Sequence, residues 1–477
     1  MNMKHNVFTN LIWRFAERCG AQLVAFIVSI VLARMLSPEI YGVVELITVF
    51  TTILQVFVDS GLGSALIQKK DADDLDFSTV FYANIVFCGV LYVLLFLCAP
   101  LIAGFYNDMS LISLIRVLGI TIIVSGVKNI QQAYVSQNMM FKKFFFSTLG
   151  GTIAAAFVGI PMALLGCGVW ALVTQQIINV TIDTAILWLT VRWRPQRKFS
   201  VMRLKALFSY GWKLLLSSLI DIGYNNARQL VIGKMYSSAD LAYYNKGQQF
   251  PQLIVANINS SIDSVLFPAM ASVQDNCQNI KQMTRKSVKV SMYIMAPLMM
   301  GLAFTADSVV KLVLTDKWLA CVPYLRIFCI SYMFWPIHTA NLNAIKAMGR
   351  SDLFLKLEIM KKSVGIILLL ITMWFGTMAM AYSFLLSSVC SQIINAWPNR
   401  KLLDYGYTEQ LKDILSSIIL AVSMGVMVWC VSLIDLPILL TLIIQVVFGI
   451  IIYLIGSMVF RIDSFIYVKE TLKSFRK

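Results

Sequence analysis

The sequence predicts an all-α polytopic membrane protein. Two six-helix lobes are related by a pseudo-twofold axis along the membrane normal, and a C-terminal helix pair follows them. Three observations carry that prediction. The 477 residues are 58% hydrophobic and only 13% charged, far from the balance of a soluble domain. Apolar runs of about 20 residues recur about fourteen times, each long enough to span a hydrocarbon core. Two of these runs carry the same polar stripe: Glu45, Thr48, Thr52, Gln55 and Asp59 in the second, and Gln249, Gln252, Asn259 and Asp263 in the eighth. At helical spacing each stripe occupies one face. Polar side chains at bilayer depth are costly and turn toward a bundle interior or a wet cavity, so a repeated stripe suggests two similar lobes lining one hydrated path.

Six runs precede the polar connection Arg192 to Lys205 and six follow it, with a final pair at the end. The predicted units are therefore 1–200, 201–400 and 401–477, and the RWRPQRK segment reads as a linker between the halves. Basic residues cluster on alternate loops: Lys69–Lys70, Lys142–Lys143, Arg192 to Lys205, Lys281 to Lys289, Arg350 to Lys362, Arg400–Lys401 and the C-terminal tail. The other loops hold little beyond Arg34, Lys234 and Lys317. This asymmetry predicts that both termini are cytoplasmic. It also accounts for most of the net charge of +16, which would otherwise point to nucleic acid. No basic soluble domain is present, and no nucleic-acid partner is expected. Arg14, Glu17 and Arg18 interrupt the first apolar run, so a retained first helix is expected rather than a cleaved signal.

Enzyme signatures are missing: there is no P-loop, no HExxH and no plausible triad. The outer loops are too short to house a polysaccharide polymerase or glycosyltransferase site. Nine cysteines form no CxxC pair, and only His5 and His338 could join them as ligands. They read as small buried hydrophobes rather than a metal site or disulfide framework. His338 reads as a satisfied bundle residue.

The halves look duplicated in detail. VLARMLSPEIYG near the end of the first span resembles VIGKMYSSADLAY near the end of the seventh, with Arg34 matching Lys234 and Met35 matching Met235. With one insertion, Ser37-Pro-Glu-Ile matches Ser238-Ala-Asp-Leu, and Asp59-Ser60 matches Asp263-Ser264. Six spans per half is an even number, so the halves insert in the same orientation.

Candidate site residues fall into three groups. Basic residues inside the spans are Arg14 and Arg18 in the first, Lys213 and Arg228 in the seventh, Arg116 in the fourth and Arg326 in the tenth. They suit an anion, since arginine matches phosphate with two parallel hydrogen bonds. Arg14 and Lys213 equally suit snorkelling to the headgroups, as do Lys246 and Lys346. Gln55, Gln252, Asn259 and Tyr224 could contact a sugar. Glu45, Asp59, Asp221 and Asp263 could bind a coupling proton or cation, or act as counter-ions to nearby arginines. Asp307 and Lys311, one turn apart, are expected to pair with each other. Pro161, Pro251, Pro297 and Pro336 fall inside predicted spans, where each can bend its helix.

TNLIWRFAERCGAQLVAFIVSIVLARMLSPEIYGVVELI, then DSGLGSALIQKKD, FSYGWKLLLSSL and DLAYYNKGQQFPQLI, together resemble the bacterial polysaccharide transporters, including the Wzx-type flippases. The likeness extends over essentially the whole chain. It implies the multidrug/oligosaccharidyl-lipid/polysaccharide superfamily, with two lobes in a V around a central cavity. It further implies transport of undecaprenyl-pyrophosphate-linked oligosaccharides across the bacterial inner membrane for O-antigen, capsule or exopolysaccharide assembly. The partners it implies are membrane lipid, a polysaccharide polymerase and a chain-length regulator. It implies no cofactor, and coupling to H+ or Na+ stays open. A cation-coupled multidrug exporter and a lipid II flippase are the alternative readings. The extra helix pair and the basic stripe argue against the exporter.

Overall fold

The computed structural model describes residues 20–59, 62–69, 71–274, 276–434 and 436–474. Among these residues the secondary structure is entirely helical. Eleven stretches are long and apolar enough to cross a membrane, and Gly20–Met35 (α1) is a shorter apolar helix. Two further long helices, Val201–Met235 (α9) and Ser351–Thr372 (α15), fall outside that set. Their charges explain the difference from the expected fourteen: Lys213, Asp221, Arg228 and Lys234 interrupt α9, and Lys356, Glu358, Lys361 and Lys362 interrupt α15.

The chain divides into two compact units, one running to Ala242 and the other beginning at Tyr243. The first holds α1, α2 (Pro38–Val58), α3 (Leu62–Gln68), α4 (Asp74–Tyr106), α5 (Leu111–Leu118), α6 (Ile120–Gln137), α7 (Phe141–Leu164), α8 (Val169–Thr190) and α9. A capping box starts α4: Asp73 Oδ1 accepts from the Asp76 amide at 2.9 Å, and Asp76 Oδ2 accepts from the Asp73 amide at 3.2 Å. This satisfies two donors that a helix start leaves open. Arg203 at the start of α9 bonds Asp73 and also reaches Asp76, whose side chain is fully buried. Lys69 bonds the same Asp76. Above this cluster Leu66, Phe77, Phe81, Ile130 and Trp193 form a buried core.

That core changes the status of the RWRPQRK segment. Trp193 stacks on Tyr134, with ring centroids 5.9 Å apart, and donates its indole N–H to Asp74 Oδ1 at 3.0 Å. Gln131 Nε2 donates to the Trp193 carbonyl at 3.2 Å, and the Gln196 amide donates to Ser78 Oγ at 2.9 Å. The segment expected to be a linker is thus pinned along α4 and α6, and α9 packs against α2, α3 and α4.

The second unit takes most of α10 (Ser238–Ala271), then α11 (Cys277–Phe304), α12 (Ala306–Val313), a short 3-10 turn, α13 (Val322–Met333) and α14 (Trp335–Ala347). It continues through α15, α16 (Thr377–Leu402), α17 (Tyr407–Val431), α18 (Ile438–Val459) and α19 (Asp463–Ser474). Polar and aromatic contacts tie the final helices to it. Asp413 on α17 accepts from Arg285 on α11 and from Tyr405. Tyr293 on α11 donates to Ser457 on α18 at 3.0 Å, while its carbonyl accepts from the Tyr453 hydroxyl at 2.8 Å. Pro336 does not interrupt a helix: it stands in the first turn of α14, where its missing N–H costs nothing.

The local duplication is closer than the sequence alignment suggests. α1 ends at Met35 and α2 begins at Pro38; α9 ends at Met235 and α10 begins at Ser238. Ser37 and Ser237 therefore hold equivalent positions before a helix, and the inserted residue of the sequence alignment disappears. Ser237 makes a capping pair with Asp240, its hydroxyl donating to Oδ2 at 2.6 Å and accepting from the Asp240 amide at 3.1 Å. The ends of α6 and α14 match as well: one leads into a left-handed Met139 at φ 53°, the other into a left-handed Gly349 at φ 72°.

Candidate substrate path

Within the first unit, the polar faces of α2, α6 and α8 meet. Thr48 Oγ1 accepts from Gln176 Nε2 on α8 at 3.2 Å. Asp59 Oδ1, just past the end of α2, accepts from Gln55 Nε2 at 3.1 Å and from Asn129 Nδ2 on α6 at 2.9 Å. One residue before Asn129, Lys128 Nζ pairs with Asp183 Oδ2 on α8 at 3.2 Å; both side chains are largely buried, at 17% and 8% exposure. An ion pair this deep is held because each charge is matched, not because burial favours it.

Within the second unit, the same three positions meet again with different chemistry. Thr339 on α14 donates to Asn259 Oδ1 on α10 at 2.5 Å. Beside it, His338 Nδ1 and Asn395 Nδ2 on α16 are 3.0 Å apart, so the ring nitrogen accepts from the amide. Two residues further along α14, Asn341 and Gln410 exchange amide hydrogen bonds at 2.9 and 3.0 Å, and Asn399 donates to Asn341 Oδ1 at 2.7 Å. Gln131 holds the corresponding place in α6. Lys128, Asn129 and Gln131 thus match His338, Thr339 and Asn341 in order and spacing, and the structural counterpart of Asp59 is Asn259. Asn395 lies one turn further along its helix than Asp183 does, counted from the starting glycines Gly168 and Gly376.

The sequence-derived candidates distribute as follows. Arg14 and Arg18 lie outside the described residues. Arg228 on α9 is buried, 4% exposed, whereas Lys213 is exposed. Arg116 and Arg326 share one arrangement in their respective units. Arg116 Nε donates to the Phe96 carbonyl at 3.4 Å, with its guanidinium 4.0 Å from the Phe96 ring centre. Arg326 Nε donates to the Ala303 carbonyl at 3.3 Å. Arg326 also pairs with Asp307. The expected Asp307–Lys311 pair does not form; Lys311 pairs with Asp316 at 3.4 Å. A guanidinium fork reaching from the neighbouring helix wins over a flexible lysine one turn away.

Of the sugar candidates, Gln55 and Asn259 are engaged as above, Tyr224 is half-buried, and Gln252 is exposed. Of the acids, Glu45 is half-buried, Asp263 is exposed, and Asp221 is exposed and accepts from Asn225 at 3.2 Å. Lys246 does not snorkel: it is 3% exposed and donates to Gln249 Oε1 at 3.0 Å. Lys346 is exposed and lies over the Phe354 ring at 4.8 Å.

Asp183, Gln176 and Asn395 escaped the sequence reading. Each is a single polar residue in an apolar run, and that alone was the signal available. Their partners lie tens of residues away, beyond what helical spacing can indicate.

The first turns of α2 and α10 meet at Gly42, where a Cβ would lie 1.7 Å from the Ser238 carbonyl oxygen. Only glycine permits that approach.

Multiple long apolar helices with cross-bonded polar faces define a multi-pass membrane protein. Comparisons with known proteins agree. The family described as "Polysaccharide biosynthesis protein" matches residues 31–323, and the chain belongs to that family. It is 26% identical over 397 residues to the teichuronic acid biosynthesis protein TuaB of Bacillus subtilis (strain 168), covering 80% of each chain. It is 24% identical over 372 residues to the lipopolysaccharide biosynthesis protein WzxC of Escherichia coli (strain K12), covering 76% of this chain and 74% of that one. Among solved structures, it superposes on the lipid II flippase MurJ in an inward closed conformation with a TM-score of 0.78 at 14% identity, covering 95% of this chain and 99% of that one. An inward-facing multidrug transporter gives a TM-score of 0.65 at 14% identity, covering 80% of this chain and 94% of that one. At such identities the likeness to solved structures speaks for the fold. The family makes the protein a polysaccharide biosynthesis transporter rather than an enzyme.

Proposed function

We propose that the protein is a flippase for undecaprenyl-pyrophosphate-linked oligosaccharide repeat units, moving them across the bacterial inner membrane for surface polysaccharide assembly. The observation that carries this reading is the family match, joined to relatives whose names place them in teichuronic acid and lipopolysaccharide biosynthesis. In this reading the fourteen helices form two six-helix lobes, 1–200 and 201–400, with an accessory pair in 401–477. Both termini are cytoplasmic, as the basic loops favour.

Transport proceeds by alternating access between the lobes. Arg14, Arg18, Lys213 and Arg228 receive the pyrophosphate, and burial of Arg228 supports this, because a desolvated guanidinium binds a phosphate more strongly than one in water. Gln55, Gln252, Asn259 and Tyr224 offer neutral donors and acceptors to the sugar. The prenyl tail stays in lipid. The acidic residues placed for a coupling ion are Glu45, Asp59, Asp221 and Asp263.

The test is deletion of the gene in its own host. Undecaprenyl-linked repeat units should accumulate on the cytoplasmic face, surface polysaccharide should be lost, and drug sensitivity should stay unchanged. Accumulation of lipid II instead would establish the alternative substrate, and normal surface polysaccharide in a strain without a second copy would remove the proposal.

A further inference from the structure

We propose that the cleft between the start of α15 and the end of α16 binds an anionic phospholipid of the cytoplasmic leaflet. The cleft has a volume of about 260 Å³. Arg350, Lys356 and Lys401 line it, and no acidic residue does. Asp352 occupies Arg350 through both oxygens, at 3.0 and 2.9 Å. Lys356 and Lys401 have no ion-pair partner among the described residues. Two unmatched ammonium groups beside one cavity raise each other's cost and lower that of a bound anion.

The rest of the lining shows what kind of anion fits. Leu353, Leu357, Met360, Trp397, Pro398 and Leu402 form the remaining wall. Outside it, Leu355 and Ile359 on α15 and Ile393 on α16 are exposed large hydrophobics, the composition of a lipid-facing surface. A soluble phosphate would leave that wall wet. A phospholipid satisfies both parts, with its phosphate between the two lysines and an acyl chain along the leucines. Trp397, 57% exposed, lies one turn before Lys401 near the end of α16, and an indole beside a basic residue at a helix end favours the headgroup layer. Basic pockets between membrane helices at this level select anionic headgroups.

A second basic cluster gives the contrast. At the junction of α11 and α19, Arg285 pairs with Asp413 and Glu409, and Lys289 pairs with Asp413 and Asp463. There the charges of Arg285 and Lys289 are matched within the protein; in the α15/α16 cleft Arg350 is matched by Asp352, and Lys356 and Lys401 have no such partner among the described residues. The inference rests on the proposed cytoplasmic orientation of these loops and is independent of the transported glycan.

Native mass spectrometry of the full-length protein, released from micelles holding equal phosphatidylglycerol and phosphatidylethanolamine, tests it. The wild type should retain phosphatidylglycerol selectively. Lys356→Gln with Lys401→Gln should lower that retention about fivefold for each lysine removed, and Met360→Glu should lower it too, all with unchanged melting behaviour. Arg197→Gln with Lys198→Gln, on another basic loop, should leave it unchanged. Undiminished retention in the lysine variant, or an equal loss in the control, overturns the proposal. Displacement by millimolar inorganic phosphate would show a free-anion site, and displacement by equimolar prenyl pyrophosphate a site for the transported lipid; either result also overturns it.

Discussion

Lys128 and Asp183 form a buried ion pair between α6 and α8, and in the second unit His338, at the position matching Lys128, makes a neutral bond with Asn395 one turn further along its helix. The same brace is thus built once from charges and once from uncharged polar groups. Removing one member of the charged version strands the other in a low-dielectric interior. Asp183→Asn should destabilise the protein by about 3 kcal/mol, measured as a loss of melting temperature in detergent. The double change Lys128→Met with Asp183→Leu should recover most of that loss. Asn395→Leu should cost less, about 1–2 kcal/mol, since it leaves only a neutral ring nitrogen unbonded.

Asp59 offers a separable test of coupling against architecture. Its Oδ1 accepts from both Gln55 and Asn129, and an asparagine oxygen can accept the same two bonds. Asp59→Asn should therefore keep transport within about twofold, whereas Asp59→Ala should cost about 1–2 kcal/mol of stability through two lost bonds. Repeat-unit translocation in vesicles, with and without an imposed proton or sodium gradient, distinguishes the cases. Abolished transport in a stable Asp59→Asn protein would show that the carboxylate charge itself is needed.

Arg228→Ala should lower translocation at least tenfold at normal protein level, because a charged hydrogen bond to phosphate contributes about 1.5–3 kcal/mol. Arg228→Lys should recover only part, lacking the planar fork. Wild-type transport by Arg228→Ala would remove this residue from the proposed anion site.

The Asp73–Arg203 clamp predicts an acid-sensitive link between the α3/α4 loop and α9. The Arg203 side chain, followed by the Asp76 amide, holds the Asp73 carboxyl down at about 2. A depressed carboxyl contributes stability that is fully present above its unfolded value of about 4 and is lost as pH falls through about 2. The protection factor at the start of α9, corrected for intrinsic exchange, should therefore fall between about pH 4 and 2, and Asp73→Asn should be weakly protected already at neutral pH. An unchanged protection factor across that range would exclude the clamp as the cause.

The membrane class was legible in the sequence, and so were the matching helix ends at Met35 and Met235, because both are written in local patterns: apolar run length and short matched strings such as Arg34-Met35 and Lys234-Met235. The sequence was less informative wherever the answer depends on which helix lies beside which. Asp307 and Lys311 satisfied the spacing rule for a pair, yet each found a better partner outside its own helix. The RWRPQRK stretch had a linker's composition, yet Trp193 anchors it in a core assembled from α3, α4 and α6. Asn259, rather than Asp263, proved the counterpart of Asp59, because helix starts at Pro38 and Ser238 set the register and the chemical identity of the residue does not.

Gly42→Ala should disturb the meeting of α2 and α10 with little effect on either helix, since alanine is the better helix former. The expected outcome is reduced transport with normal expression. Gly42→Val should reduce it further, read by restored surface polysaccharide in a deletion strain. Equal function for all three residues would show that this approach is not used in the transport cycle.

The approach at Gly42 joins main chain to main chain. The three atoms nearest to a Cβ at Gly42 are all main-chain atoms of Ser238, so no change of rotamer relieves the clash. Mutations elsewhere can drift and be answered by a neighbour repacking. Here divergence has only one permitted answer, so this short stretch should behave as a fixed point around which the rest of the sequence is free to specialise for different cargoes.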